Sequence, residues 1–251
     1  MYYGWRVVAG AFTTQMFIVG FFSYSVSLLT PSLREGFGVT LEQVMYGMTI
    51  GTVAGLVFSP LAGIMVDRYP VRAIMAAGSL AFGVGLFLLS RVTSITAYVW
   101  VFGITMAVAN CFAATIPALA VVSRWFTVNR GRALGIAAIG TSVGGALVPA
   151  LVNVWLEIGG WRVAVEYMAY CVLGVMLPAA LFLIRGRPED VGLQAEHDPG
   201  AADTAETGAA SARQMFSSYN FWSMALSMGL TMAAYSAILS NLTPYAKGAG
   251  Y

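Results

Sequence analysis

Charge is what this sequence has least of. Only 10% of its 251 residues are Asp, Glu, Lys or Arg, where a soluble domain carries about 25%. Lysine is nearly missing: Lys247 stands alone against 12 arginines. There is one histidine, His197, and two cysteines, Cys111 and Cys171, both inside apolar runs and neither at metal-ligand spacing. Structural zinc, a disulfide framework and Cys/His catalysis are set aside on that ground. With a net charge of +2 and no basic tract of five or more, nucleic acid is not an expected partner. No nucleophile–base pair and no phosphate-cradling loop is present, so neither an enzyme nor a bound cofactor or metal is expected.

What is there is apolar: 59% of the residues are hydrophobic. They lie in runs near 20 residues or longer, enough to cross a hydrocarbon core of about 30 Å as helix. Seven spans are expected, at 7–31, 42–66, 73–90, 96–123, 132–156, 161–184 and 219–244. The fold class is therefore an all-α polytopic membrane bundle. The first run is too long for a signal-peptide core and is followed by further spans. In "VTLEQV", Thr40 is the expected N-cap of span two, with Gln43 as its capping-box partner and Val39 and Val44 as staple. "RGRP" after Ile184 marks a helix end, and Pro117 an expected kink in span four.

Topology follows from the arginines. With the N-terminus cytoplasmic, the inner segments hold Arg6, Arg68, Arg72, Arg124, Arg130, Arg132, Arg185, Arg187 and Arg213. The outer ones hold Arg34, Arg91, Arg162 and Lys247. Nine against four supports that orientation in a cell membrane. Between 188 and 218 the sequence is acidic, small and weakly apolar, a composition that cannot bury enough surface to fold alone. The expected organisation is a six-helix N-terminal half over 1–187, a flexible cytoplasmic linker over 188–218, and a seventh helix over 219–251 that starts an incomplete second half. On this layout the chain is expected to be a fragment, inactive alone.

Polar groups inside the spans are costly in lipid and face protein or a water-filled path. Span one carries Thr13, Tyr24 and Ser27 near one face with Gln15 off it. Span four carries Asn110, and span seven carries Ser223, Ser227, Thr231, Tyr235 and then Asn241. Tyr24, Asn110, Tyr235 and Asn241 are the candidate substrate-path residues; interhelical hydrogen bonding is the simpler reading of each. Arg162 and Glu166, four apart, share a helix face and form either an interfacial ion pair or a site for a coupled proton. Glycines recur every four residues, at Gly47, Gly51 and Gly55 and at Gly140 and Gly144, a spacing that lets helix backbones approach closely in lipid.

In "GIMVDRYPVR", Asp67 sits at the negative end of its own helix and needs an arginine or a helix start as partner. Gly63-x-x-x-Asp67-Arg68-x-x-x-Arg72 between spans two and three resembles the loop signature of the major facilitator superfamily of secondary transporters, with Pro70 where the family usually has glycine. "RWFTVNRGRALGIAAIGTSVG" resembles the signature of its monocarboxylate-porter and oxalate–formate-antiporter branch. Phe126, Arg130, Ala133, Gly135, Ala137, Gly140 and Gly144 match it. "YYGW" and "RPEDVGL" are similar to the opening and the post-helix-six segment of that branch. The resemblance implies a cytoplasmic latch formed by Gly63, Asp67, Arg68, Arg72 and Arg130, and a central cavity lined by helices one, four, seven and ten. It also implies alternating access between two six-helix halves, moving a small organic anion with a coupled proton or an exchanged anion. The missing second half would then be the chief partner besides the lipid bilayer. Two alternatives stay open: a seven-helix receptor or photoreceptor, against which stand the arginine count and the absence of a lysine within helix seven, and a membrane partner that has lost transport.

Overall fold

The computed structural model describes residues 2–193, 217–231 and 234. The chain divides into two compact units, Met1–Asp198 and Pro199–Tyr251. Every regular element among the described residues is helical.

In the first unit, α1 (Gly4–Val19), a π-helical turn (Gly20–Ser25) and α2 (Val26–Phe37) run on as span one. Gly38 ends it in the left-handed conformation, φ 63°, which glycine adopts without Cβ strain. Span two is α3 (Leu41–Arg68). Its start is the capping box read from the sequence: Thr40 Oγ1 accepts from the Gln43 amide at 3.4 Å, and Gln43 Oε1 accepts from the Thr40 amide at 3.0 Å. Span three is α4 (Val71–Arg91).

Span four is α5 (Ile95–Phe112) and α6 (Thr115–Trp125), broken at Ala113 and Ala114. The break has a local cause. Pro117 has no N–H for the Ala113 carbonyl four residues back, and its ring crowds that carbonyl. The kink thus falls one turn before the proline.

α7 (Arg130–Cys171) holds span five and most of span six, and the chain reverses at Gly159 and Gly160. Gly160, at φ 74°, is in a region that a side chain would strain. A second π-helical turn (Val172–Met176) and α8 (Leu177–Phe182) complete span six. Among the described residues, five helical stretches are long and apolar enough to cross a membrane, and the reversal inside the last makes six spans.

Past span six the chain does not become linker at once. Pro188–Val191 forms a 3-10 turn, with Pro188 buried and Val191 packed on the core. The linker boundary expected at 188 therefore lies inside a folded segment, because Pro188 is buried and Val191 finds apolar partners that composition cannot reveal. Residues 194–216 lie outside the described residues. In the second unit, residues 219–231 are helical. Its Ser223 and Thr231 hydroxyls donate to the Asn220 and Ser227 carbonyls of their own helix. Tyr235 and Asn241 lie outside the described residues.

The first unit has two apolar clusters. One gathers Phe21, Phe22, Phe82, Phe102 and Tyr98, and the other gathers Val7, Val66, Val71, Trp125, Phe126 and Ile184. Because lipid tails are as apolar as leucine, such helices associate through close packing and hydrogen bonds more than through burial. The tightest packing joins span one to span five. Gly140 lies on the Phe12 carbonyl and Gly144 on the Met16 carbonyl, and a β-carbon at Gly20 would stand 2.7 Å from the Gly144 carbonyl oxygen. Gly47 and Gly51 do the same for span two against Phe102 and Met106 of span four. Gly55, expected to continue that row, does not: a β-carbon there would meet open space. Each four-residue step overshoots a helical turn by about 40°, so by the third glycine the row has rotated off the contact.

This contrast gives a stability prediction. Gly144→Ala should destabilise the helical unit by about 1–3 kcal/mol through overpacking, while Gly55→Ala should be nearly neutral. Reversible unfolding of both variants in mixed micelles checks it, and equal losses would refute the packing assignment.

Candidate functional site

At the end of the bundle that carries Asp67, the loop between spans two and three is short. Pro70 starts α4 and has no amide hydrogen. Tyr69 is extended and α3 ends at Arg68, so the Val66 carbonyl in its last turn has no helical donor. Arg124, on the last turn of α6, supplies one: its Nη2 donates to the Val66 oxygen at 2.9 Å and lies 3.9 Å from Asp67 Oδ1. Arg124 is thus the arginine that the carboxylate needs. The Asp67 side chain is 83% exposed and that of Arg124 28%, so the carbonyl bond fixes the guanidinium and the ion pair adds a weaker, screened attraction.

Asp67, Arg68 and Arg124 line a cavity of about 250 Å³ together with Arg187 and Asp190 from the segment after span six. Of the five residues expected at the latch, Asp67 and Arg68 are in this cavity. Gly63 lies higher on α3 beside open space, Arg72 is not among the lining residues, and Arg130 is exposed at the start of α7. Arg124, not among those five, is the arginine beside Asp67. It was visible in the sequence as the arginine ending span four, but only the fold brings that end against span two. Nothing in the sequence pattern singles out Arg187 or Asp190 for this cavity.

Mid-bundle, Tyr24 projects from the π-helical turn of span one, which Ser25 Oγ reinforces by donating to the Gly20 carbonyl at 3.0 Å. The extra residue in a π turn rotates the side chains that follow it, and such turns cluster at functional sites. Tyr24 faces Gly145 of span five, where a β-carbon would stand 3.0 Å from the ring. Asn110 is partly buried one turn before the α5–α6 break, and its Nδ2 donates to the Met106 carbonyl of its own helix at 2.9 Å. Gln15, which helical spacing puts off the polar face, is buried and donates to the Ala137 carbonyl of span five at 3.1 Å. Its role is to join two helices.

At the opposite end, the expected Arg162–Glu166 pair does not form. Glu166 Oε1 accepts from Arg91 Nη2 of span three at 3.0 Å and from the Tyr170 hydroxyl at 2.8 Å. Arg162 instead donates to the Val92 carbonyl at 3.1 Å and lies 4.3 Å from the centroid of the Trp161 ring. The helix spacing that suggested the pair is correct, but each group finds a partner on span three instead. A double-mutant cycle should therefore give about 0.2–1 kcal/mol of coupling between Arg91 and Glu166, and none between Arg162 and Glu166. Coupling confined to the second pair would contradict the geometry.

Comparison with known proteins places this architecture. The sequence profile of the Major Facilitator Superfamily matches residues 12–251. The chain is 33% identical over 132 residues to a fujikurins efflux protein of Gibberella fujikuroi, covering 53% of this chain and 28% of that protein. It is 33% identical over 151 residues to the riboflavin transporter RibJ of Trypanosoma cruzi, covering 59% and 31%. It is 27% identical over 163 residues to monocarboxylate transporter 1 of Rattus norvegicus, covering 64% and 32%. The matched stretch spans less than a third of the length of each of these relatives. With its membrane-length helices, its hairpin signature at Asp67 and a profile match over nearly all of its residues, the chain belongs to the Major Facilitator Superfamily, a family of multi-pass membrane transporters and not of enzymes.

Proposed function

We propose that this chain forms the N-terminal part of a secondary transporter for a small organic anion of the monocarboxylate or oxalate/formate kind, working by alternating access. The observation that carries the reading is the Asp67–Arg124 cavity, which assembles the family's hairpin signature at one end of a six-helix unit. In this reading the cavity is the cytoplasmic gate, closing against a second helical unit of the transporter. The N-terminus is cytoplasmic, in keeping with the arginine distribution, and the protein lies in the cell membrane. Tyr24, with Asn110 one span away, borders the solute path. Arg91 and Glu166 tie spans three and six together at the outer end, and a proton or an exchanged anion supplies the coupling.

The choice of a carboxylate rests on the signature over Arg124–Gly144 and on kinship with a protein named for monocarboxylates. The whole transporter containing this chain, reconstituted in liposomes, should exchange labelled lactate, formate or oxalate. Uptake of riboflavin without any of these acids would sink the carboxylate assignment. Asp67→Asn should slow exchange by about tenfold, the factor that 1.4 kcal/mol of lost gate stabilisation produces, with equilibrium solute binding retained. Unchanged exchange in that variant would remove Asp67 from the gate.

A further inference from the structure

The segment Arg185–Gly192 follows span six and lends Arg187 and Asp190 to the gate cavity, and it touches the gate's framework at several further points. Trp125, the neighbour of Arg124 on the last turn of α6, is 0% exposed. Its indole N–H donates to the Arg185 carbonyl at 2.8 Å, and its own carbonyl accepts from the Tyr2 hydroxyl at 3.0 Å. Beyond Arg185, a β-carbon at Gly186 would come within 3.3 Å of Asp190 Oδ2 and 4.0 Å of the Val71 amide nitrogen, at the start of span three. The 3-10 turn is closed by Asp190, whose Oδ2 accepts from the Arg187 amide at 3.0 Å. Pro188 is buried, and Val191 packs on the cluster of Val66, Val71 and Trp125. Arg187 and Asp190 then line the same cavity as Asp67, Arg68 and Arg124.

We infer that Arg185–Gly192 is a strap that sets the gate. It holds the indole of Trp125 in place, and with it the last turn of α6. That turn aims Arg124 at the Val66 carbonyl and at Asp67. Trp125 and Pro188 are positioning residues in this scheme. The strap also brings Asp190 as a second carboxylate to a cavity with three arginines, so that Asp67 does not face them alone. The physical basis is that Arg124 is a long side chain whose fixed end is the backbone of the last helical turn, where helices fray most readily. A turn pinned by a buried indole hydrogen bond loses that freedom. Tension or release in the chain after Gly192 would therefore reach the gate through two hydrogen bonds and one buried ring. The inference rests on reading the cavity as the gate, but the coupling it asserts is between strap and hairpin and needs no solute to be seen.

Hydrogen exchange of the whole chain in lipid nanodiscs tests that coupling. Pro188→Gly loosens the strap without touching Asp67, Arg124 or Trp125, and Trp125→Phe removes the indole N–H while keeping a ring. Either variant should speed exchange by about tenfold at the strap amides of Asp190, Gly192 and Leu193. It should also do so at the hairpin amides of Tyr69 and Ala73, which are bonded to the Met65 and Pro70 carbonyls. Amides of the span one–span five contact, around Gly140 and Gly144, should not change, which separates coupling from general loosening. Faster strap exchange with an unchanged hairpin in Pro188→Gly would overturn the inference, as would acceleration spread evenly over all six spans. If the exchange result holds while Asp67→Asn leaves solute exchange unaltered, the strap–hairpin coupling stands and the gate reading alone falls.

Discussion

Two glycines of span five lying on two carbonyls of span one set the register of the first unit. In lipid there is no water to drive helices together, so what holds them is how near their backbones can come. Gly140 on the Phe12 carbonyl and Gly144 on the Met16 carbonyl leave no room for a β-carbon between the two helices. Gln15 locks that contact by donating to the Ala137 carbonyl. With the register set, Gly20 meets the Gly144 carbonyl and Tyr24 meets Gly145, so the mid-bundle polar group is placed by packing one and two turns away. At the other end of span one, Trp5 packs edge-on against Phe126, and Arg132 lies over the Trp5 ring. The end of span four and the start of span five are thereby tied to the same helix.

Carbonyls at helix ends recruit most of the specific polar contacts. The last four carbonyls of a helix have no intrahelical donor, and long side chains from neighbouring spans supply one. Arg124 serves Val66, Arg162 serves Val92, Trp125 serves Arg185, and Tyr2 serves Trp125. Val66 is one of these end carbonyls, because Tyr69 is extended and the helix stops at Arg68. The end of α3 at Arg68 thus leaves the acceptor that holds Arg124 beside Asp67. Arginines that weigh as topology markers in the sequence act in the fold as bridges between helix ends, which asks for reach and several donors more than for charge alone.

The same logic explains why the cavity at Asp67 is assembled from three separate stretches of sequence. A hairpin between two spans is too short to fold around an ion pair on its own. It borrows Arg124 from span four and the Pro188 turn from beyond span six, and Tyr2 braces the far side of Trp125. Chain segments that read as a terminus, a loop and the head of a linker pack as one unit around a buried indole.

Much of the fold was legible because bilayer thickness and backbone satisfaction leave so few solutions. Run length alone marked six spans in the first unit. Thr40 and Gln43 announced a cap that depends only on neighbours three residues apart, and Pro117 announced a break that depends on the carbonyl four residues back. These are local interactions, and the sequence by itself determines them. Which arginine meets Asp67, which partner Glu166 takes, whether Gly55 packs, and where the folded unit ends all turned on the tertiary structure. Arg124 lies 57 positions from Asp67 and Arg91 lies 75 from Glu166. Such pairs exist only once helix packing has set which ends come together, and no periodicity within a single span encodes that choice.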